Sequence, residues 1–432
     1  MQSRNRIAAI DAARALAVIG MVIVNVGPRS GDGLADVLHR IPLGRASLLF
    51  VLLAGLGISL LTRRARDSGG PLPWASLLWR SGLLLVGGLA LQLLDHGVSV
   101  ILPTYALLFL IALPVVRAPD RLLLVLAGAL MVLGPVTWIF LQMVQGVRFA
   151  SEPASLTDSP LLILHKVLLS SPYPVITWAG PFLLGMWLGR RRLSDRVLQR
   201  RMIVTGAIAA VAGRMISLAL VAWLGEPSNT IGFDRLVTSV AHSQMPLWLL
   251  SGTGSALLAL GVLLRLGRVV DRWLWPLVAT GQLALTIYVA HLFALALLIR
   301  PEPHTLAEGV LISFVLSVLA IVGATLWRRY FKQGPFEALL RDPWNHPRIP
   351  TRLRTAPDAE TTPPSHPPRN STSPRTRSKE EPIQPASATP LTGLKIGPRP
   401  HLLTGPSGRQ PAQMPVPHPP RVTDFPAGAG QG

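Results

Sequence analysis

Long apolar segments recur along the first 330 residues of the chain, and they constrain its fold more than any other feature. Each is close to the ~20 residues that an α-helix needs to cross the hydrocarbon core of a bilayer. In lipid, a helix satisfies its own backbone hydrogen bonds, so such segments fold as helices. We therefore predict an all-α integral membrane protein, a polytopic bundle of about ten transmembrane helices. The predicted spans are 7–27, 46–62, 77–94, 98–115, 122–144, 173–189, 202–224, 246–264, 274–299 and 307–327.

Two of these spans contain prolines that predict irregular helices. Pro103 lies in the fourth span, and Pro172, Pro174 and Pro181 lie at or near the start of the sixth. Proline removes a backbone hydrogen bond and bends or breaks a helix, so we expect kinks or breaks there. The first span is not expected to be a signal peptide, because Asp11 interrupts it and no small-residue cleavage site follows.

The basic residues are distributed unevenly between the two sides of the predicted bundle. The chain has 41 Lys and Arg against 21 Asp and Glu, a formal net charge of +20. With both termini inside, 22 of the basic residues fall on the cytoplasmic side of the ordered body and 7 in external loops. This positive-inside bias predicts a multi-pass protein of the cell membrane with both termini cytoplasmic. The excess charge is then a topological signal, and the expected partner is the lipid bilayer, with no nucleic acid.

The C-terminal part of the chain differs sharply in composition from the rest. Residues 351–432 hold 18 of the 40 prolines, together with many Gly, Ser and Thr residues. Such a segment buries too little apolar surface to offset its conformational entropy. We divide the chain into a membrane domain, 1–345, and a disordered, Pro-rich cytoplasmic tail, 346–432. A docking role for the tail, through stretches such as 415–420, is an open alternative.

Polar residues inside the apolar spans are costly and mark candidate functional positions. Asp11 and Arg14 share one face of the first span, where a local ion pair is the simplest interpretation. Asn25 lies near the external end of that span. Arg214 lies near the middle of the seventh span, where it is predicted to need a polar or acidic partner; Asp11 is one option.

The ninth span and the external loops carry groups that titrate near neutral pH. In the ninth span, Gln282 and Thr286 fall near one stripe, and Tyr288 and His291 share a face. Other histidines are predicted at the external side: His39, His96, His165, His242 and His304. The chain has no cysteine and no two histidines at ligand spacing, so no metal site is expected. Motifs of soluble enzymes, such as the P-loop, G-x-S-x-G and H-E-x-x-H, are absent from the sequence.

Five stretches resemble a known family. Residues 6–25 read R-x-x-x-x-D-x-x-R-A-x-A-x-x-G-M-x-x-V-N, and residues 44–55 read G-R-x-x-x-L-F-x-x-L-A-G. Later stretches at 252–257 and 281–288, and Gly334-Pro335-Phe336-Glu337, follow in the same order. Together they resemble bacterial membrane proteins related to the heparan-alpha-glucosaminide N-acetyltransferase catalytic domain, in the transmembrane acyltransferase superfamily.

The resemblance implies a membrane acyltransferase. Such enzymes take an acyl group from cytoplasmic acyl-CoA, here acetyl-CoA by resemblance, and pass it to a sugar acceptor on the other face. The resemblance also implies a catalytic histidine in the loop after the first span, where this chain offers His39. We expect His39, His291 and Asn25 to meet in one external pocket.

Other residues of the chain can assist this chemistry. Candidate donors to the developing negative charge of the acyl carbonyl are Asn25, Arg45, Gln282 and Tyr288. The CoA phosphates require cations on the cytoplasmic side, and two clusters offer them: Arg63, Arg64 and Arg66, and Arg190, Arg191 and Arg192. The same clusters are also explained by positive-inside topology alone.

Two other functions stay open. A small-molecule transporter or exporter predicts internal repeats and discontinuous helices that meet at the midplane around Arg214. No clear repeat relates the first five spans to the second five. A non-catalytic membrane scaffold predicts that the tail, 351–432, binds a partner and that its deletion changes the phenotype.

Overall fold

A computed structural model of the chain describes residues 2–27, 41–149, 151–228, 231–303 and 305–341. Within these ranges every long regular element is a helix. In chain order the α-helices are α1 (Gln2–Val26), α2 (Arg45–Leu61), α3 (Arg63–Asp67), α4 (Trp74–Leu91), α5 (Leu102–Val115), α6 (Asp120–Gln145), α7 (Pro160–His165), α8 (Val175–Gly189), α9 (Arg196–Leu224), α10 (Pro246–Arg265), α11 (Gly267–Trp273), α12 (Trp275–Gln282), α13 (Ala284–Ala294), α14 (Leu306–Tyr330) and α15 (Pro335–Leu339).

Six of these helices are long and apolar enough to cross a membrane: α1 over Ala8–Val26, α4, α6, α9, α10 and α14. Two further candidates are bent pairs. The α7 helix, with its π-helical extension Lys166–Ser170, meets α8 at 66°, and α12 meets α13, with its extension Leu295–Ile299, at 79°. The α2 and α5 helices are apolar but short. These elements overlap all of the predicted spans, so the prediction of a polytopic all-α bundle is confirmed, whereas the number of crossings stays a prediction.

The irregular helices agree only partly with the proline positions. The break before α8 falls at 171–174, which contains Pro172 and Pro174, as expected. Pro103 is in the first turn of α5, where its missing N–H costs nothing, so it begins the helix and does not kink it. The break at Leu283 was not predicted, because no proline lies there. As a result, Gln282 and Thr286 belong to two different helices and do not form one stripe.

The central helices are α1, α2 and α8. About two thirds of the apolar part of α1 (67%) is buried inside the protein, against 11% of that of α9. Between α2 and α8, Gly55 packs against the carbonyl oxygen of Phe182 and Gly185 packs against that of Leu52. Any side chain at either glycine would collide with this backbone. Polar groups on α1 are therefore held in the best-packed part of the bundle.

We name the two ends of the bundle by the residues found there. At the basic end, α2 finishes at Leu61 and α9 begins at Arg196. At the histidine end, α1 finishes at Val26 and α10 begins at Pro246. The predicted tail, 346–432, lies outside the described residues, as do His39 and His304.

Candidate functional site

Asn25, at the histidine end of α1, contacts His291 of α13. Its amide nitrogen lies 3.2 Å from Nε2 of the histidine. With the amide as donor, Nε2 accepts and the ring proton is on Nδ1. Nδ1 faces the carbonyl groups of Ile287 and Tyr288 one turn earlier, without a well-aligned hydrogen bond. His291 is only 5% exposed, so the pair joins α1 to α13 in the interior.

Tyr288 packs beside this pair and forms a hydrogen bond with the loop that precedes α5. Its ring lies edge-on to His291, with 5.0 Å between the ring centroids. Its hydroxyl oxygen accepts a hydrogen bond of 3.2 Å from the backbone N–H of Ile101, just before α5. The position of Tyr288 is therefore explained by packing and by the loop that it holds.

Arg300, which follows the extension of α13, ties the loop 92–101 to the end of α1. Its Nε donates to the carbonyl of His96 at 2.6 Å, and one terminal nitrogen donates to the carbonyl of Asn25 at 2.9 Å. A third contact joins it to Glu302 at 3.4 Å. Sequence reasoning did not single out Arg300, because it appears there as an ordinary basic residue of an external loop.

His96 has a structural position in that loop. Its Nδ1 accepts the backbone N–H of Val98 at 3.2 Å, so Nε2 carries the proton and donates to the carbonyl of Leu91 at 3.0 Å. Burial lowers the pKa of His96, and the nearby charge of Arg300 lowers it further. Both ring nitrogens are thus used by the backbone, and His96 is held neutral.

A cavity of about 330 Å³ opens at the histidine end beside Asn25. Its polar lining includes Asn25, Ser47, Ser99, Tyr173 and His242. His291 is not part of the lining, so it lies behind Asn25 with respect to the cavity. A molecule in this cavity would touch Asn25 directly and sense His291 only through it.

Part of the wall of this cavity is aromatic, and its backbone is constrained. His242 lies among three rings, with centroid distances of 5.7 Å to Tyr173, 6.3 Å to Trp178 and 5.7 Å to Trp248. Both His242 and Gln244 have positive φ angles, 59° and 66°. Such backbone costs about 1–3 kcal/mol per residue and persists only where the surroundings enforce it.

The side chain of Gln244 stabilises this backbone conformation. Its side-chain oxygen accepts from Trp178 at 2.8 Å and from Thr177 at 3.0 Å, while its nitrogen donates to the carbonyls of Pro172 and His242. This buried residue fixes the turn that presents His242 to the cavity. No local sequence signal identifies Gln244, because all of its partners except the His242 carbonyl come from 172–178.

A second polar cluster lies towards the basic end of α1. Arg14 donates to Asp11 Oδ1 at 2.5 Å, and the amide of Gln282 donates to Asp11 Oδ2 at 3.2 Å. The local ion pair expected on α1 is thus formed and is extended to α12. Gly281 makes this approach feasible, because a Cβ there would lie 1.6 Å from the carbonyl oxygen of Asp11.

This cluster faces a larger cavity of about 550 Å³. Arg14, Arg80, Gln282 and Glu337 line it among apolar residues, and so does Tyr105. Gln282 Oε1 and the Tyr105 hydroxyl are buried and have no hydrogen-bond partner in the described part of the chain. Buried polar atoms left in this way are costly, so they favour a ligand that satisfies them.

Glu337 of α15 closes the cavity and stabilises the second half of the broken helix. Its carboxylate accepts from the backbone N–H groups of Leu285 and Thr286, at 2.8 and 3.0 Å, and from the Thr286 hydroxyl at 2.5 Å. These amides are the free donors of the first turn of α13. The start of α13 after the break at Leu283 is therefore stabilised by a carboxylate 52 residues after Leu285.

The predicted CoA-binding arginines differ in how far they are engaged. Arg190 is largely buried and bonds Asp120 and the carbonyls of Val115, Val116 and Ala118. Arg191 contacts Asp120 and stacks over Trp187.

The other arginines of the two clusters are less engaged. Arg66 donates to Ser59, and burial lowers its pKa. Arg63 pairs with Asp67 on the surface, whereas Arg64 and Arg192 are exposed. Exposed arginines at the basic end therefore remain available to an anion.

Arg45 and Arg214 lie outside both clusters. Arg214 is exposed on α9 and donates to the hydroxyl of Ser239 at 3.3 Å. The polar partner expected for it is thus a loop serine and not Asp11, which is occupied by Arg14 and Gln282. Arg45 donates to the carbonyl of Ile41 at 3.1 Å and does not line the cavity beside Asn25.

Comparison with known proteins adds two family matches. Residues 6–228 match the family described as heparan-alpha-glucosaminide N-acetyltransferase, catalytic. Residues 188–344 match a second family, described as protein of unknown function DUF418. Both families belong to the transmembrane acyltransferase-like group. No curated protein matches the chain.

Proposed function

The chain belongs to the family of the heparan-alpha-glucosaminide N-acetyltransferase catalytic domain, and from this premise we propose that it is an acyl-CoA-dependent membrane acyltransferase. In this proposal it lies in the cell membrane with both termini in the cytoplasm. It takes an acyl group from acyl-CoA, acetyl-CoA by resemblance, at the basic end. It passes that group to a glycan or lipid-linked glycan at the histidine end.

The observation that carries the proposal is that one helix, α1, lines both cavities. Arg14 of α1 lines the larger cavity and Asn25 of α1 lines the smaller one. These residues are separated by about 16 Å along the helix axis, at about 1.5 Å per residue. A donor held at one end and an acceptor held at the other would thus approach along buried α1.

The larger cavity supports binding of the donor. It joins apolar walls to a few polar atoms, among them the unsatisfied Gln282 Oε1 and Tyr105 hydroxyl. A long substrate with amide and thioester groups matches such a lining. The phosphates of CoA would bind Arg63, Arg64 and Arg66 and the cluster Arg190, Arg191 and Arg192; Arg190 contributes least, because its terminal nitrogens are already used.

The transfer itself would proceed at the histidine end. An acceptor hydroxyl or amine attacks the thioester carbonyl carbon, its proton passes to a base, and the C–S bond breaks to release CoA as the thiol. We assign the base to His39, on the resemblance alone. Asn25 would donate to the developing oxyanion or hold the acceptor, and His291 would orient Asn25 through their hydrogen bond.

A direct test uses purified protein in liposomes that contain radiolabelled acetyl-CoA, with glucosamine as the external acceptor. We expect labelled N-acetylglucosamine outside, together with release of CoA. The variants His39→Ala, Asn25→Ala and His291→Ala are expected to lose transfer. His165→Ala is the matched control, because His165 is also at the histidine end but contacts Phe149 and Ser170 and not the cavity. Full activity in the first three variants would overturn the site assignment, and absence of both acyl transfer and CoA release in the wild type would count against an acyltransferase.

The broken helices support a second candidate function, the transport of a small molecule. Discontinuous helices are typical of transporter binding sites, and α12 and α13 form such a pair. Arg214, which the transport hypothesis placed at the meeting point, is instead exposed on the continuous helix α9. Uptake of labelled solute by the same liposomes without any release of CoA would favour transport.

A further inference from the structure

A third cavity, of about 430 Å³, lies between α4 and α13, and we call it the apolar cavity. Every residue that lines it is Leu, Val, Phe, Ala or Gly. Both helices contribute a stripe at helical spacing, α4 through Leu84, Gly87 and Leu91, and α13 through Leu285, Val289 and Phe293. A polar group buried among such side chains would lose its hydrogen bonds to water without replacement. The lining therefore favours a hydrocarbon chain.

The short helix α15 joins the two helices that flank the apolar cavity. The indole nitrogen of Trp79, on α4, donates to the carbonyl of Leu339 at 2.9 Å. On the other side, the Glu337 carboxylate accepts from the first amides of α13. Phe336 and Leu339 of α15 line the cavity. One end of the cavity is thus built from protein and fixed to both flanking helices, so the cavity is a feature of the fold.

The apolar cavity adjoins the larger cavity of about 550 Å³. Four leucines line both of them: Leu84, Leu102, Leu285 and Leu340. Along α4, Arg80 lines the larger cavity, Leu84 lines both, and Gly87 lines the apolar one. These three residues have the spacing of one helix face. That face of α4 leads from a cationic side chain to a hydrocarbon surface over about 10 Å, at about 1.5 Å per residue.

The two adjoining cavities together indicate an amphipathic ligand. Its polar part would lie in the larger cavity beside Arg14, Arg80 and Gln282, and its chain would lie in the apolar cavity. Along α4 the apolar lining runs from Leu83 to Leu91, a distance of about 12 Å at about 1.5 Å per residue. An acetyl group is much shorter than this distance, whereas an acyl chain of medium length spans it.

The outer side of the apolar cavity determines which occupant competes with such a ligand. Val86 and Phe293, which line that side, are 58% and 40% exposed. The hydrocarbon chains of the bilayer are therefore the alternative occupant. The shared leucines favour a ligand that extends from the larger cavity, because its chain passes from a polar lining to an apolar one inside the protein.

We propose that the apolar cavity binds the acyl chain of a medium-chain acyl-CoA whose CoA part occupies the larger cavity. The thioester lies where the two cavities meet, and the group that is transferred is longer than acetyl. This inference names the donor class of the proposed acyltransferase and rests on that function for the identity of the ligand as a CoA ester. Binding of the chain does not itself require catalysis.

The site is tested by binding of radiolabelled acetyl-CoA, octanoyl-CoA and octanoate to the full chain in phosphatidylcholine nanodiscs. Octanoyl-CoA should bind at least about tenfold more tightly than acetyl-CoA, because its additional methylenes are buried. Gly87→Leu places a side chain in the apolar cavity, since nothing in the described part of the chain lies within 4 Å of a Cβ there. This variant should lose about tenfold or more in affinity for octanoyl-CoA and keep its affinity for acetyl-CoA.

Gly82→Leu is the matched control. Gly82 is on the same helix and also has open space around its Cβ, but it does not line the apolar cavity. Both substitutions replace glycine by a better helix former, so both variants should fold. Ala90→Leu, at an exposed position that lines the cavity, is the second variant should Gly87→Leu not fold.

Each other outcome overturns the proposal. Equal affinity for acetyl-CoA and octanoyl-CoA removes the apolar cavity from the donor site. Affinity for octanoyl-CoA that is unchanged by Gly87→Leu leaves the cavity to bilayer lipid, and an equal loss in Gly82→Leu assigns the effect to the helix as a whole. Octanoate that binds as tightly as octanoyl-CoA identifies a free fatty acid as the ligand.

The binding result is separable from the proposed reaction. Octanoyl-CoA binding that depends on Gly87, without any acyl transfer by the wild type, would leave this site standing and remove the acyltransferase. Transfer from acetyl-CoA, with equal affinity for the two CoA esters, would do the reverse.

Discussion

Asn25 and His291, which are 266 residues apart in sequence, lie 3.2 Å apart at the histidine end of the bundle. Of these two residues, Asn25 lines the cavity of about 330 Å³ and His291 does not. This order, with the histidine behind the asparagine, makes His291 a positioning residue in the proposed reaction.

A double-mutant cycle on this pair is the first prediction. Asn25→Ala and His291→Ala should each lower kcat for acyl transfer by about 10²-fold or more, as expected for loss of a positioned polar group. Because they act through one hydrogen bond, the double variant should be no slower than the worse single variant. His291→Gln, which keeps an acceptor for Asn25, should recover part of kcat without changing KM. Additive losses, or no recovery, would show that the pair does not act as a unit.

Gly281→Ala should destabilise the protein. Its Cβ would lie 1.6 Å from the carbonyl oxygen of Asp11, so α1 and α12 must separate. The expected cost is at least that of overpacking, about 1–3 kcal/mol, seen as a lower thermal unfolding midpoint in detergent. Gly82→Ala is the control, since nothing lies within 4 Å of its Cβ; it should be neutral or slightly stabilising. Equal midpoints for the two variants would contradict the close approach.

Glu337→Ala should loosen the start of α13. Loss of a carboxylate that caps a helix costs about 0.5–2 kcal/mol, and the amides of Leu285 and Thr286 lose their acceptor. Hydrogen exchange at these two amides should therefore accelerate, while exchange in α9 stays unchanged. Asp67→Asn, which alters an exposed surface pair, should leave both regions as they are.

Stability should depend on pH through His96. Burial lowers the pKa of this histidine below its usual 6.5, so the unfolded chain binds more protons than the folded one. The neutral, buried His96 contributes fully to the free energy of unfolding above about pH 6.5. Below that pH this contribution is lost, by at most about 1.4 kcal/mol per pH unit. The unfolding midpoint of wild type measured from pH 7.5 to 5 should fall more steeply than that of His96→Gln. Parallel curves would mean that His96 is protonated equally in both states.

Substitutions of Arg190 and Arg192 should affect different properties. Loss of Arg190 should lower the stability of the protein, whereas loss of Arg192 should weaken ligand binding. Arg190→Gln leaves carbonyls of the α5–α6 connection without a donor, so it should lower the unfolding midpoint. Arg192 is exposed, so Arg192→Gln should keep the midpoint and weaken binding of CoA, measured by calorimetry. The opposite pattern would exclude the cluster Arg190, Arg191 and Arg192 as the CoA site.

The sequence by itself determined that this chain is a polytopic helical membrane protein. Apolar length and period are local properties, because each membrane helix satisfies its own backbone. The Asp11 and Arg14 pair is local in the same way, since residues three apart share a helix face. The motifs of residues 6–25 and 44–55 also carried the family assignment without any structure.

The tertiary structure decided everything that depends on distant partners. The break at Leu283 is stabilised because the Glu337 carboxylate caps α13 and because Gly281 admits the backbone of Asp11. The position of His291 behind Asn25 likewise comes from helices that meet across the bundle. Periodicity shows which face of a helix is polar, but the partner of that face is set by packing between segments that are distant in sequence.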